Sequence, residues 1–237
     1  MPFNSRNSFH YVKFTTRSKK SRQLNVISVK TSMSKKTATT QREIKYRLSF
    51  GTGSLYFSEG KSLLELYVDY GDWAKVIDKT VAENTLQFNS NASSKRAASE
   101  ICIRLRSLSD DEQFFYLKAD IHDQAILAWL AVCRTYKFIG DFTSSIVIDA
   151  FASYRLELKH ADFDFFLEDQ IQWHSELGDI TDTTRKKLRQ ILFRMMRETG
   201  FLSKSNKLLR LTPSSNLRNL SLQTQEDLIK FIPGVSI

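Results

Sequence analysis

Cysteine is nearly absent: Cys102 and Cys133 are the only two in 237 residues, far apart and each inside an apolar stretch. That excludes a disulfide framework and the paired spacing of a zinc site, and leaves two buried free thiols as the expectation. Long apolar runs are missing too. The best, AILAWLAVC (125–133), is about half of the roughly 20 residues a bilayer requires, and it ends at Arg134. It reads as a core helix, with no membrane partner. Proline (three) and glycine (eight) are scarce, which suits packed helices with short connections.

Catalytic and cofactor signatures are also lacking. FGTGSL (50–55) holds a GxG but neither the third glycine and preceding strand of a dinucleotide fingerprint nor the GK[ST] of a phosphate loop. It reads as a turn ahead of a helix capped by Ser54. None of His10, His122, His160 and His174 stands at metal-ligand spacing with another His or Cys. His174, beside Trp173 and Glu176, invites an acid–base reading, but a structural histidine at a helix end is the simpler one. Asp162, Asp164, Glu168 and Asp169 do not match a calcium loop and read as a solvated helix face. No nucleophile–base–orienter set is present, so no enzyme, cofactor or metal is expected.

Acids are all but absent from two stretches. Residues 1–47 hold twelve Lys/Arg and one acid; residues 185–218 hold ten and one. Between them, residues 48–184 hold twelve Lys/Arg against twenty-two acids, so the net charge of +9 is segregated into two basic ends around an acidic middle. A local positive field of this kind attracts polyanions.

What is present is helical periodicity. Residues 1–45 read as a basic tail, the first 40 of them showing no sustained apolar period. Three accounts of residues 1–32 stand side by side: a start upstream of the true one at Met33, a nucleic-acid arm, or a transit peptide. From Ser54 onward helices dominate a domain over 46–180. Gly71 stops one helix and Asp72 caps the next. Another starts at the serines of SNASSKR, and Ser109 with Glu112 outlines a capping box. Further helices are predicted over 121–138, 139–153 and 162–173. Residues 181–237 form a third part, a basic helix followed by KLLRLTPSSNLRNLSL (207–222), which outlines a winged-helix-like hairpin around Pro213 and then a helix.

The basic helix carries the functional signal. Advancing about 100° per residue from Leu188 places Ile191, Leu192, Met195 and Met196 on one stripe. Lys186, Lys187, Arg189, Arg194 and Arg197 take the opposite arc, from about 100° to 260°, with Gln190 and Phe193 among them. Arg185, Lys186 and Lys187 read as first-turn residues, where a cation costs about 0.3–1 kcal/mol against the helix dipole unless an anion sits there. Lys95 and Arg96 repeat the arrangement, and Lys204, Lys207, Arg210 and Arg218 prolong the strip. The candidates for contact with a nucleic-acid backbone are therefore Arg185, Lys186, Lys187, Arg189, Arg194, Arg197, Lys204, Lys207, Arg210, Lys95 and Arg96. Contact with a nucleic-acid phosphate backbone is the favoured reading of the charge, which does not distinguish DNA from RNA; a scaffold role on an acidic protein partner is the alternative.

YRLSFGTGSL, ELYVDYGDWAKV, NSNASSKRAASEICIRLRSLSD, AWLAVCRTYKFIGDF and TTRKKLRQILFRMMRETGFL, in that order, resemble the BrxA family of bacterial BREX phage-defence systems over about 46–202. The resemblance implies a mainly α, multi-helix bundle of NusB-like arrangement that binds double-stranded DNA and is not an enzyme; the lack of a long apolar run, not the resemblance, makes a cytoplasmic protein the expectation. It implies partners in the defence operon, among them a methyltransferase and an ATPase. It supplies no residue-level site, so the candidates above rest on charge alone.

Overall fold

In the computed structural model, residues 45–236 are described, and the elements run almost entirely helical. The readings made for the tail 1–44 therefore lie outside the described residues. A 3₁₀ turn, Ser49–Thr52, leads into α1 (Phe57–Tyr70), α2 (Trp73–Ala82), α3 (Asn91–Leu105) and α4 (Asp110–Lys118). Then follow α5 (Ile121–Thr135), α6 (Lys137–Phe142), a π-helical turn (Thr143–Val147), α7 (Ile148–Ala152) and α8 (His160–Ile171). After a 3₁₀ turn, Ser175–Leu177, come α9 (Asp182–Thr199), α10 (Ser215–Arg218) and α11 (Leu222–Phe231).

The ends of these helices are set by local chemistry. Gly71 takes a left-handed φ of 62° at the end of α1, which glycine adopts without a Cβ penalty. Asp72 then accepts from the Ala74 amide at 2.8 Å and starts α2. Ser109 and Glu112 close the expected capping box on α4. Ser54 does not cap α1; that helix starts after Tyr56 in a left-handed conformation, and the Ser54 hydroxyl is engaged elsewhere.

Helix α5 is the hub. Asp123–Cys133 are buried without interruption, and α1, α3, α4, α6, α9 and α11 all pack on it. Trp129 at its centre donates from Nε1 to the Phe231 carbonyl at 3.1 Å, which ties α11 to the hub. Both cysteines are buried and unpaired, and burial pushes the Cys102 thiol up to about 12 and the Cys133 thiol higher still. Among the described residues no helix is long and apolar enough to cross a membrane.

Two expected boundaries move for steric reasons. The helix predicted over 121–138 ends at Thr135, and the chain re-enters a helix after Tyr136 with α6 folded tightly against the end of α5. Gly140 permits this: a Cβ there would lie 2.8 Å from the Cys133 carbonyl oxygen. Gly140→Ala is therefore expected to lower unfolding stability by about 1–3 kcal/mol, as overpacking does, read as a lower urea midpoint with an unchanged slope.

The hairpin expected around Pro213 is also displaced. Pro213 and Ser214 instead start α10, with Ser214 Oγ accepting from the Leu217 amide. The reversal occurs earlier, at Ser203–Asn206, where Leu202 and Leu208 form one antiparallel bridge and Lys207 bridges Glu157. The described residues hold isolated bridges there and no strand, so the chain departs from the winged-helix outline.

Candidate functional site

Helix α9 starts earlier than its apolar pattern suggests. Thr181 is the N-cap, its Oγ1 accepting from the Thr184 amide at 3.2 Å, and Asp182 occupies the first turn. Arg185, Lys186 and Lys187 thus lie beyond the first turn, where the dipole penalty fades. Lys95 and Arg96 are likewise the fifth and sixth residues of α3, which Ser90 caps. The strained-terminus argument for an anion falls away, and the case rests on where the cations converge.

Neighbouring helices sort the cationic arc of α9. Helix α8 runs antiparallel beside it, so that residues four apart on one meet residues four apart on the other. His160 packs edge-on against Phe193 with centroids 4.8 Å apart, Asp164 pairs with Arg189, and Glu168 takes Arg185 at 2.6 Å. Arg185 and Arg189, expected to face a ligand, are held by the protein's own carboxylates. Phe193, expected as an apolar contact in that face, is 1% exposed. Asp164 and Glu168 are accordingly partners of α9 rather than a freely solvated face.

The sector left to solvent spans about 160° to 260° and carries Lys186, Arg197, Gln190, Arg194 and Lys187. Lys186, Lys187, Gln190 and Arg194 are exposed; Arg197 is half-buried, donating to the Asn206 side chain at 2.6 Å with its guanidinium 5.9 Å from the Phe193 ring centre.

On the far side of this sector lies a cleft of about 460 Å³ between the start of α3 and the middle of α9. Its walls include Arg96, Lys187 and Arg194, with Gln190, Ser93, Gly53, Tyr56 and Phe88. The three cations make no ion pair with a carboxylate among the described residues, and neither do Lys95 and Lys186. Lining residues Gln190 and Arg194 are shared with a shallower depression bounded by His160, Phe193, Arg197 and Glu198, so the surface continues along α9.

The loop forming one wall is clamped from two sides. Glu198 Oε2 accepts from the Leu55 amide at 2.6 Å and from Ser54 Oγ at 3.0 Å. From α3, the buried Arg104 donates to the Ser54 carbonyl at 2.8 Å and lies 5.8 Å from the Tyr56 ring centre. Burial holds the Arg104 guanidinium below its usual value, against the pull of Glu100, and pushes the Glu100 carboxyl up. Gly53, at φ 146°, lets the Tyr56 hydroxyl close over it; a Cβ there would meet that oxygen at 2.5 Å. The GxG of the sequence therefore shapes a wall of the cleft.

The remaining candidates stand apart from it. Lys204 and Lys207 are exposed in and beside the turn whose Asn206 is held by Arg197. Arg210 turns to the chain end, donating to the Gly234 carbonyl at 2.9 Å, and Arg218 lines a separate depression with Leu228 and Val235. Phe88 and Tyr56 went unnoticed as site residues because neither lies within a cationic pattern. His174 stacks on Tyr46 with centroids 3.9 Å apart and lies 3.4 Å from Glu176, consistent with the structural role.

The BrxA family model matches residues 44–224, which include every residue of the cleft. The chain belongs to the BrxA family. A curated "BREX protein BrxA" of Bacillus cereus (strain H3081.97) is 26% identical over 161 residues, 68% of this chain and 80% of that one. The protein of that name from Paramagnetospirillum magneticum (strain ATCC 700264 / AMB-1) is 27% identical over 169 residues, 69% of this chain and 82% of that one. Its counterpart in Escherichia coli O9:H4 (strain HS) is 23% identical over 150 residues. The crystal structure of an uncharacterized protein from Magnetospirillum magneticum aligns at a TM-score of 0.65 with 22% identity, covering 79% of this chain and 100% of that one. That likeness speaks for the fold alone.

Proposed function

We propose that this chain is a non-enzymatic DNA-binding component of a BREX-type phage-defence system, acting in the cytoplasm beside other BREX proteins such as the methyltransferase and the ATPase. It holds the phosphate backbone of double-stranded DNA with little sequence preference. The system is suggested by the names of the curated relatives. The observation that carries DNA binding is the convergence of Arg96, Lys187 and Arg194, from two helices, on one cleft without a carboxylate partner. Lys95 and Lys186 add exposed charge on the same two helices.

A phosphate contact releases condensed counterions, so affinity falls with salt. With about five cations engaged, log K against log salt is expected to have a slope of roughly −4 to −5. Filter binding or anisotropy on a random-sequence duplex across a salt series measures it, and a slope near zero removes the proposal.

One observation favours a second reading, a protein-interaction subunit. Helix α8 exposes Phe165 (74%) and Trp173 lies just beyond it at 63%, beside the acidic Glu168 and Asp169. A purified chain that shifts no DNA at low salt supports that role, and tighter binding of RNA than DNA in direct competition moves the assignment to RNA.

A further inference from the structure

The cleft is sized for one small group rather than for a length of duplex. Its volume of about 460 Å³ falls within the range of small-ligand sites, roughly 300–1,000 Å³. Its lining is mixed in a particular way. Arg96, Lys187 and Arg194 supply charge, Gln190 supplies an amide donor and acceptor, and Phe88 and Tyr56 supply aromatic surface. Ser93, in the first turn of α3, adds a hydroxyl to the same wall. Phosphate positioning alone needs only the cations, and neither the Phe88 ring nor the Gln190 amide serves it.

Phe88 is the informative residue. It is half-buried in the loop between α2 and α3 and belongs to no ring pair among the described residues, although the fold contains many such pairs. An aromatic side chain left beside a cationic cleft matches the way proteins hold unpaired nucleotides, with a base on the ring and its phosphate on nearby cations. Gln190, exposed on the opposite wall, is placed to pair with a base edge.

Resting on the phosphate reading above, we infer that this cleft holds a single unpaired nucleotide, seating its phosphate on Arg96, Lys187 and Arg194 and its base against Phe88. The preferred substrate is then nucleic acid with a single-stranded end or gap, while on a fully paired duplex the same three cations hold backbone phosphates alone.

The test compares a blunt duplex with a duplex carrying a short single-stranded overhang, matched in total phosphates, by fluorescence anisotropy of the full chain at one salt concentration. The overhang is expected to bind about tenfold tighter, the effect of stacking one base. Phe88→Leu, which keeps apolar bulk but removes the ring, is expected to bring the overhang-to-blunt affinity ratio down to about one. Exposed Gln190→Ala provides a second variant that does not depend on packing and is expected to cut the preference in the same direction. Millimolar dAMP that abolishes the preference assigns the cleft to nucleotides from any source; a preference that resists dAMP assigns it to strand-borne ones. Equal, salt-dependent binding of both duplexes overturns this inference and leaves the phosphate reading standing. So does a preference that survives both variants. Binding of neither duplex removes both readings.

Discussion

Changing Arg96, Lys187 and Arg194 together to Glu should weaken duplex binding by at least about a hundredfold near 0.1 M salt. Each phosphate contact contributes about −0.9 to the salt slope, so losing three is worth several hundredfold at that concentration before any repulsion is added. The slope itself should flatten by about three, and the loss should be equal for unrelated sequences. The matching control reverses Lys75, Lys118 and Lys230, which are exposed on α2, α4 and α11 and change the net charge identically. If the control weakens binding as much as the cleft variant, the field of the whole molecule is responsible and the cleft is not the site. Arg185→Ala should change affinity by less than about threefold, because Glu168 already holds that guanidinium and exposed pairs of this kind contribute little.

The second large effect concerns stability. Arg134 lies where α4, α5 and α11 meet. Its Nη1 and Nη2 reach Glu112 Oε2 and Oε1 at 2.6 and 2.8 Å, and its Nε reaches Asp227 Oδ2 at 2.7 Å. Glu112 also accepts from the Ser109 amide and from Thr224 Oγ1, so one buried carboxylate joins a helix cap to the C-terminal helix. Burial alone pushes the Glu112 carboxyl up; the Arg134 hydrogen bonds and those from Ser109 and Thr224 together outweigh it and hold the group below its ordinary value. Arg134→Met leaves two acids without their cation and should cost about 3–5 kcal/mol at neutral pH.

The pH dependence gives this prediction its sign. A carboxylate whose folded value is depressed stabilises the fold above the ordinary carboxylate range and loses that contribution as pH falls through the folded value. In Arg134→Met the same buried carboxyl is pushed upward, and its burden is relieved by protonation. The stability gap between wild type and variant should therefore narrow on acidification, measured by urea unfolding from neutral pH into the carboxylate range. A gap that stays constant would mean that Arg134 acts through packing and not through charge. Adding Glu112→Gln to Arg134→Met should recover part of the loss at neutral pH, since the buried charge is gone.

Both predictions concern cations that look alike in the sequence and differ only in what surrounds them. Local features were legible beforehand because they depend on neighbours in the chain. The Gly71 stop, the Asp72 cap, the Ser109–Glu112 box and the apolar stripe of α9 each involve residues within one or two turns. The fully buried character of AILAWLAVC follows from its apolar continuity. Charge segregation, too, is a property of composition and survives any fold.

What the chain order alone decided is thus a helical, BrxA-family protein with a basic helix near its C-terminal end, because periodicity, caps and net charge are short-range or additive. Which cations of that helix stay available was decided only by packing. The antiparallel neighbour α8 brings Asp164 and Glu168 against Arg189 and Arg185, and α3 brings Arg96 across from Lys187 and Arg194. Phe88 joined them through a loop whose position no local pattern encodes. Coulomb interactions and desolvation depend on distances between residues far apart in sequence, and those distances exist only once the helices have packed.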